Sequence, residues 1–170
     1  MKLALDISTS ITGLCILDDT KNIILLEPLI FNNKKKFPTF FSKAEHVESV
    51  LNFIKTKHNI DKIVIEAALL GFRPGMSSAH TISTLMKFNG IISWICYKEF
   101  GFEPEYLSAT SARKKCGILV PKGQKAKKVV MDYLIKNDKQ FLPYVKYTRN
   151  NTVKPECFDI ADAYVLALAS

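Results

Sequence analysis

Four acidic residues stand in surroundings that are unusual for exposed carboxylates. Asp6 and Glu66 each end a short apolar run, as expected for the end of a buried strand. Asp159 and Asp162 lie three residues apart in a segment that continues almost wholly apolar, so on a helix they share one face. Unpaired buried carboxylates are costly, and several that converge repel one another. The pattern therefore indicates a shared cation.

A divalent cation removes that cost. Magnesium prefers hard oxygen ligands and works with carboxylates and phosphate oxygens. Two such ions can activate a water molecule and stabilise the leaving oxygen when a phosphodiester is cut. The acids therefore predict metal-dependent phosphodiester cleavage. The structural alternative treats each acid singly: Asp6 in a turn, Glu66 paired with a lysine, and Asp159 as a helix N-cap.

A second chemical signal is the stretch from Leu107 to Met131, which contains no acidic residue. Its positive side chains are Arg113, Lys114, Lys115, Lys122, Lys125, Lys127 and Lys128. Such a density of positive charge favours contact with nucleic-acid phosphates, and part of it precedes a predicted helix start, where backbone amides also favour anions. We expect this stretch to contact DNA, the alternative being a solvated helix face.

The segment from Leu69 to Met76 predicts a loop that carries large apolar side chains. Exposed apolar groups often mark an interface, and some proteins insert them between base pairs at a distorted point of DNA. Leu69, Leu70 and Phe72 are candidates for that role, and Arg73 for binding a phosphate. The alternative is that Leu69 and Leu70 simply cover the core.

The elements that must position these residues come as strands first, followed by alternating helices and strands. Strands are predicted at residues 2–5, 13–17, 22–26, 62–66 and 105–107. Helices are predicted from 38 to about 58, from 77 or 78 to about 100, and over 110–115, 124–136 and 158–169. This order predicts an α/β fold in one domain, residues 1–170, with a mixed five-stranded sheet and helices on both faces.

Composition fits this picture. A chain of 170 residues with 48% hydrophobic and 24% charged residues has a globular balance, which argues against intrinsic disorder. Lysine and arginine number 24 against 16 acidic residues, so the net charge of +8 predicts a polyanionic partner, most commonly nucleic acid.

Cysteines and histidines add no metal site to the prediction. The four cysteines are scattered without a Cys-x-x-Cys pair, and the three histidines supply no matching zinc half-site. No apolar stretch approaches the length of a membrane helix or of a signal-peptide core, so we expect a cytoplasmic protein with no membrane partner.

Four segments of the sequence resemble one known family. They are Leu5–Gly13, Ile63–Glu66, the helix through Leu85 and Gly90, and Asp159–Ala163. Together they are similar to the RuvC-type Holliday junction resolvases of the ribonuclease H-like superfamily. The resemblance covers nearly the whole chain in element order, and the combination of four acids is more specific than any one segment.

The resemblance implies a ribonuclease H-like fold in which Asp6, Glu66, Asp159 and Asp162 are catalytic and bind two Mg²⁺ or Mn²⁺ ions. It implies a homodimer that nicks two strands of a four-way DNA junction symmetrically, in DNA recombination, repair or phage DNA processing, in a bacterial or phage-infected cell. It also implies a catalytic lysine near the active site, for which Lys125 and Lys127 both fit.

The chain departs from the family pattern at four points. Ile7-Ser8 replaces Pro-Gly, Ala67 replaces a glutamine, Leu69 replaces an aromatic residue, and Met86 replaces a helix glycine. At these points the sequence is more similar to the phage members of the family than to the bacterial ones. The expected substrates therefore extend to other branched or flap DNA. Which residue of the loop acts as a wedge stays open.

Three other functions are compatible with parts of the sequence. The first is a ribonuclease H-like nuclease that acts on RNA–DNA hybrids, and the second is a non-catalytic junction-binding protein. The third is an actin-like ATPase or kinase, suggested by the first segment alone. That class needs two large domains, so a length of 170 residues argues against it and against a nucleotide cofactor.

Overall fold

The strands form one mixed sheet in the computed structural model, which describes residues 1–67 and 79–170. Its strands are β1 (Lys2–Asp6), β2 (Ile11–Leu17), β3 (Ile23–Ile30), β4 (Lys62–Glu66) and β5 (Glu105–Leu107). Within these residues the order across the sheet is β3-β2-β1-β4-β5. The first three strands form an antiparallel meander, whereas β4 runs parallel to β1 and β5 runs parallel to β4.

Helices cover both faces of this sheet. They are α1 (Phe40–Lys57), α2 (Ala79–Phe100), α3 (Ala109–Lys115), α4 (Ala126–Asn137) and α5 (Pro155–Ala169), with a short 3-10 helix at Leu142–Tyr144. Alternate strand residues point to opposite faces. Leu3 and Leu5 accordingly pack with α1 and α2, whereas Ala4 packs with α3, α4 and α5. The predicted mixed sheet with helices on both faces is confirmed.

Helix α5 is buried on nearly every side, since it lies between the sheet and helices α3 and α4. It crosses β1 and β2, the two strands that lead into and out of the turn after Asp6. This position explains the apolar composition of the segment.

Helices α1, α3, α4 and α5 each begin one to three residues away from the predicted start, and two of these differences have a clear local cause. Helix α1 begins at Phe40 instead of Pro38, because Thr39 caps it and exchanges hydrogen bonds with Ser42 in a capping box. Helix α5 begins at Pro155, three residues before the predicted start, because proline is well suited to the first helical turn, where its missing N–H needs no partner.

The earlier start of α5 removes one structural alternative. Its N-cap is Lys154, so Asp159 lies one turn inside the helix and is not an N-cap. The segment predicted as a polar loop, residues 137–156, also contains the 3-10 helix and a small hairpin bridged by Tyr147 and Val153. No helix within the described residues is both long and apolar enough to span a membrane.

Candidate active site

Two parallel strands bring the first two acids together. Leu5 of β1 pairs with Ile65 of β4, so the residues that follow them, Asp6 and Glu66, end side by side at the same edge of the sheet. Asp6 is only 8% exposed. The side chains of Asp6 and Glu66 lie close enough to interact, and a hydrogen bond between them forms only when one of the two carboxyl groups is protonated.

Helix α5 brings the second pair of acids to this edge. Asp162 is buried and Asp159 is largely buried. The helix can approach the sheet closely because Gly13, the β2 partner of Asp6, lies under it. A Cβ atom at Gly13 would overlap the backbone carbonyl of Asp159. The sequence therefore needs glycine at this contact.

One lysine lies among the acids. The ammonium nitrogen Nζ of Lys127, in the first turn of α4, is 2.5 Å from Oδ1 of Asp159 and 3.5 Å from Oδ2 of Asp162. Lys125 is the N-cap residue of the same helix and its side chain is exposed. Of the two lysines that fitted the sequence pattern, Lys127 is therefore the one in contact with the acids.

The electrostatics of the site reflect crowded carboxylates. Burial, followed by the charges of Glu66 and Asp162, raises the pKa of Asp6 well above its ordinary value. Burial likewise raises the pKa of Glu66 and of Asp162, although Lys127 and Arg113 oppose the shift. Burial would lower the pKa of Lys127, but its hydrogen bond to Asp159 and the nearby acids raise it instead. Within residues 1–67 and 79–170, the two positive charges of Lys127 and Arg113 are thus fewer than the four acids that they act on.

The donor set suits a hard divalent cation, because carboxylate oxygens from three elements meet at this edge and outnumber the positive groups near them in the described part of the chain. Their arrangement suits it only in part. Among the described residues, no three acidic, histidine or cysteine side chains are grouped closely enough to form a ready metal centre. The ammonium group of Lys127 contacts the carboxylate oxygens of Asp159 and Asp162 that a cation would use. It must therefore move when a cation binds there.

Behind Glu66 lies a polar pair that the sequence analysis missed. The side-chain amide of Asn89 donates to the backbone oxygen of Glu66 at 3.2 Å, and the Ser93 hydroxyl donates to the backbone oxygen of Asn89 at 2.7 Å. Asn89 also lines a cavity of about 160 Å³ together with Asp6 and Glu66. In the sequence this pair could have been found as two polar residues four apart on an otherwise apolar helix face.

The turn after Asp6 is held from two sides. The buried Thr12 hydroxyl donates to the backbone oxygen of Ser8 at 3.0 Å and accepts from the Ser8 amide at 3.3 Å. Lys43 of α1 donates to the backbone oxygen of Thr9 at 2.6 Å. These contacts fix the turn although Ile7-Ser8 stands where the resembling family has Pro-Gly.

The basic stretch divides between three surfaces. Lys127 contacts the acids, and the charge of Arg113 is near enough to act on the pKa of Glu66 and Asp162, whereas Lys125 and Lys128 line a larger cleft next to them. Lys115 lines a separate cavity beside Cys116 and Tyr133. The two remaining side chains, Lys114 and Lys122, are exposed. The predicted contacts Leu69, Phe72 and Arg73 lie outside the described residues and stay predictions.

Comparisons with known proteins identify the fold. No family model and no curated protein sequence matches the chain. Among solved structures, RuvC of Thermus thermophilus in complex with a Holliday junction substrate matches with a TM-score of 0.59 and 9% identity, over 99% of this chain and 90% of that chain. A second structure of Thermus thermophilus RuvC matches with a TM-score of 0.59 and 11% identity, over 99% and 91%.

The yeast mitochondrial Holliday junction resolvase Ydc2 also matches, with a TM-score of 0.59 and 16% identity, over 99% of this chain and 76% of that chain. The chain therefore has the α/β, ribonuclease H-like fold of these structures. The fold implied by the sequence resemblance is confirmed.

Proposed function

We propose that this chain is a divalent-metal-dependent endonuclease that resolves four-way DNA junctions. The observation that carries the proposal is the convergence of Asp6, Glu66, Asp159 and Asp162 at one sheet edge beside Lys127. The fold shared with resolvases, one of them bound to a Holliday junction substrate, supports junction DNA as the substrate class.

In this proposal the four acids hold one or two Mg²⁺ or Mn²⁺ ions. Bound ions of this kind activate water and stabilise the leaving oxygen of a phosphodiester. Lys127 moves from Asp159 toward the incoming phosphate, where its positive charge stabilises the charge that develops on the phosphate oxygens. Asn89 keeps the end of β4, and so Glu66, in position.

The surface around the acids favours a polyanion. Arg113, Lys125 and Lys128 lie on the same side of the molecule as the acids, and the net charge is +8. We assign them to the DNA strand near the cut, and Lys114, Lys115 and Lys122 to phosphates farther along. Leu69, Phe72 and Arg73 remain our candidates for the branch point. Flaps and other branched DNA are included in the proposed substrates.

Symmetric nicking needs two active sites, and we propose a homodimer. Helix α2 carries an exposed stripe of Met86, Gly90, Trp94 and Tyr97, which recur at three- and four-residue spacing on one side of the helix. Trp94 is 59% exposed and Tyr97 is 50% exposed, while a side chain at Gly90 would meet nothing within 4 Å. A smooth apolar stripe of this kind suits packing against a second copy of the helix.

The experiment is nicking of a labelled, immobile four-way DNA junction, with and without Mg²⁺, by the wild type and by Asp6→Asn. A linear duplex and an RNA–DNA hybrid serve as comparison substrates, and sedimentation gives the mass of the active species. We expect paired, symmetric, Mg²⁺-dependent nicks that the variant loses while it still binds the junction.

Other outcomes are equally informative. Retained nicking by Asp6→Asn would remove that residue from the catalytic set. Tight binding without nicks would indicate a non-catalytic junction-binding protein. Faster cutting of the hybrid than of the junction would indicate a ribonuclease H activity.

A further inference from the structure

A second, larger cleft adjoins the acids. It has a volume of about 710 Å³ and lies between α4 and the segment that runs from Thr152 into the first turn of α5. This volume falls within the range of about 300–1,000 Å³ that is typical of small-molecule sites. None of the catalytic roles proposed above requires a cleft at this position.

The lining of the cleft is mainly apolar. Met131 of α4 is buried beneath it, and Val153, Pro155 and Phe158 form the opposite wall. Phe158 is partly exposed, so its ring offers an aromatic surface to an occupant. Aromatic side chains beside apolar walls are the usual platforms on which unpaired nucleobases stack.

Positive charges stand at the rim. Lys125 and Lys128 both line the cleft, and both side chains are exposed. Asp132 also lines it and pairs with Lys128 at 2.7 Å. An exposed pair of this kind is weak, so a phosphate group can compete for Lys128. An apolar wall with cationic groups above it matches the two parts of a nucleotide.

The cleft adjoins the catalytic cluster. Lys127 and Asp159 line this cleft and also line the small cavity that contains Asp6 and Glu66. A strand whose phosphate lies at the acids therefore has the cleft beside its next nucleotide. This adjacency favours a nucleic-acid strand over an apolar peptide, which would have no use for the lysines.

We propose that the cleft binds the nucleobase next to the scissile phosphate, unstacked from its neighbour, with Phe158 against its face and Lys125 on the adjacent phosphate. This inference rests on the proposed nuclease function and adds a specificity-determining subsite to it. The subsite makes cutting depend on the presence and the shape of one base beside the cut.

The test uses four-way junctions that carry one abasic nucleotide on either the 5′ or the 3′ side of the mapped cut. Stacking of one base on an aromatic side chain corresponds to an effect of about tenfold. We expect the wild type to nick one of the two abasic junctions about tenfold more slowly than the intact junction. Phe158→Ala should lose a similar factor on the intact junction and should be insensitive to the abasic position.

The matched control is Phe53→Ala. Phe53 is an exposed phenylalanine near the end of α1, the end that leads into the start of β4 and is therefore remote from the acids. We expect this variant to keep the wild-type sensitivity to the abasic nucleotide. If Phe158→Ala does not fold, as judged by circular dichroism, Phe158→Leu takes its place, and the abasic comparison on the wild type needs no variant.

Failure of the subsite and failure of the nuclease function are distinguishable. Normal nicking of the intact junction and of both abasic junctions by the wild type overturns the subsite alone. If nothing is nicked, the proposed nuclease function fails. The subsite is then tested by binding, with 2-aminopurine at each position that flanks the branch in metal-free buffer. A fluorescence change that Phe158→Ala abolishes supports the subsite, and no change at any position overturns it.

Discussion

Gly13 of β2 lies directly against the backbone of Asp159 on α5. Any side chain at Gly13 would overlap the Asp159 carbonyl and crowd the methyl group of Ala163. Gly13 is also the strand partner of Asp6. One small residue therefore sets the spacing between the strand that carries the first acid and the helix that carries the last two.

This contact predicts that Gly13→Ala moves α5 away from the sheet. We expect the free energy of unfolding to fall by about 1–3 kcal/mol, the usual cost of overpacking a close contact. We also expect a loss of junction nicking, because Asp159 and Asp162 move relative to Asp6. Chemical denaturation and nicking assays measure the two effects.

The matched control, for stability alone, is Gly90→Ala on α2, where an added Cβ meets nothing within 4 Å of the same chain. Gly90 belongs to the stripe proposed to pack in the homodimer, so the nicking activity of this variant is not used as a control. Alanine is favoured over glycine inside a helix, so this variant should gain up to about 1 kcal/mol. Wild-type stability and activity in Gly13→Ala would show that the sheet and α5 do not need this close approach.

The position of Lys127 predicts that replacing it changes Mg²⁺ affinity and nicking rate in opposite directions. Its ammonium group contacts Asp159 and Asp162, so it competes with a cation for the same oxygens. We expect Lys127→Gln to bind Mg²⁺ more tightly, as measured by calorimetry. The same variant should nick about 10²–10³-fold more slowly, the typical loss when one stabilising charge or donor is removed.

Lys136→Gln controls for the lost charge, because Lys136 is an exposed residue in the last turn of α4. This variant should leave the Mg²⁺ affinity and the nicking rate unchanged. Lys125→Gln should leave the Mg²⁺ affinity unchanged, because Lys125 lies outside the acid cluster. Weaker Mg²⁺ binding by Lys127→Gln would contradict the competition between the ammonium group and the cation.

The buried acids predict how stability depends on pH when no divalent ion is present. The pKa of Asp6 is raised in the folded protein, so the folded state holds this proton more tightly than the unfolded chain. The free energy of unfolding should therefore fall as pH rises from about 4, the ordinary carboxyl value, through the raised pKa. Asp6→Asn cannot ionise there, so it should be more stable near neutral pH and less dependent on pH.

Urea denaturation in chelator across this pH range measures the effect, and Glu103→Gln is the control, since Glu103 is exposed. Saturating Mg²⁺ should stabilise the wild type, by about 2.7 kcal/mol at one hundred times the dissociation constant. The ion should stabilise Asp6→Asn less. If the free energy of unfolding changed equally with pH in the wild type and in Asp6→Asn, the raised pKa of Asp6 in the folded protein would be contradicted.

The sequence predicted those parts of the fold and site that depend on local pattern. β5 was found at its observed bounds although it is largely exposed. β4 was also found at its observed bounds, since a short apolar run between polar segments is typical of a buried strand. Asp6 and Glu66 stood out for the same reason, because each ends such a run. The start of α5 was placed too late because a proline there was read as part of a loop, although it begins the helix.

Features that depend on tertiary packing could not be predicted from local sequence patterns. Lys125 and Lys127 are two residues apart, so they point to different sides of the helix start, and only the packing of α4 on α5 selects Lys127. The cleft lined by Met131 and Phe158 joins α4 to α5 and to the segment before α5. No spacing rule identifies such a surface.

The polar pair on α2 predicts a positioning role that is separable from stability. Asn89 holds the backbone oxygen of Glu66, and Ser93 holds Asn89. Asn89→Ala leaves that oxygen without its side-chain donor, so we expect a loss of about 1–3 kcal/mol in stability and slower nicking. Ser93→Ala keeps the donor and should lose less of both. The deciding measurement is nicking against Mg²⁺ concentration: misplacement of Glu66 raises the concentration needed for half-maximal rate, whereas lost stability alone leaves it unchanged.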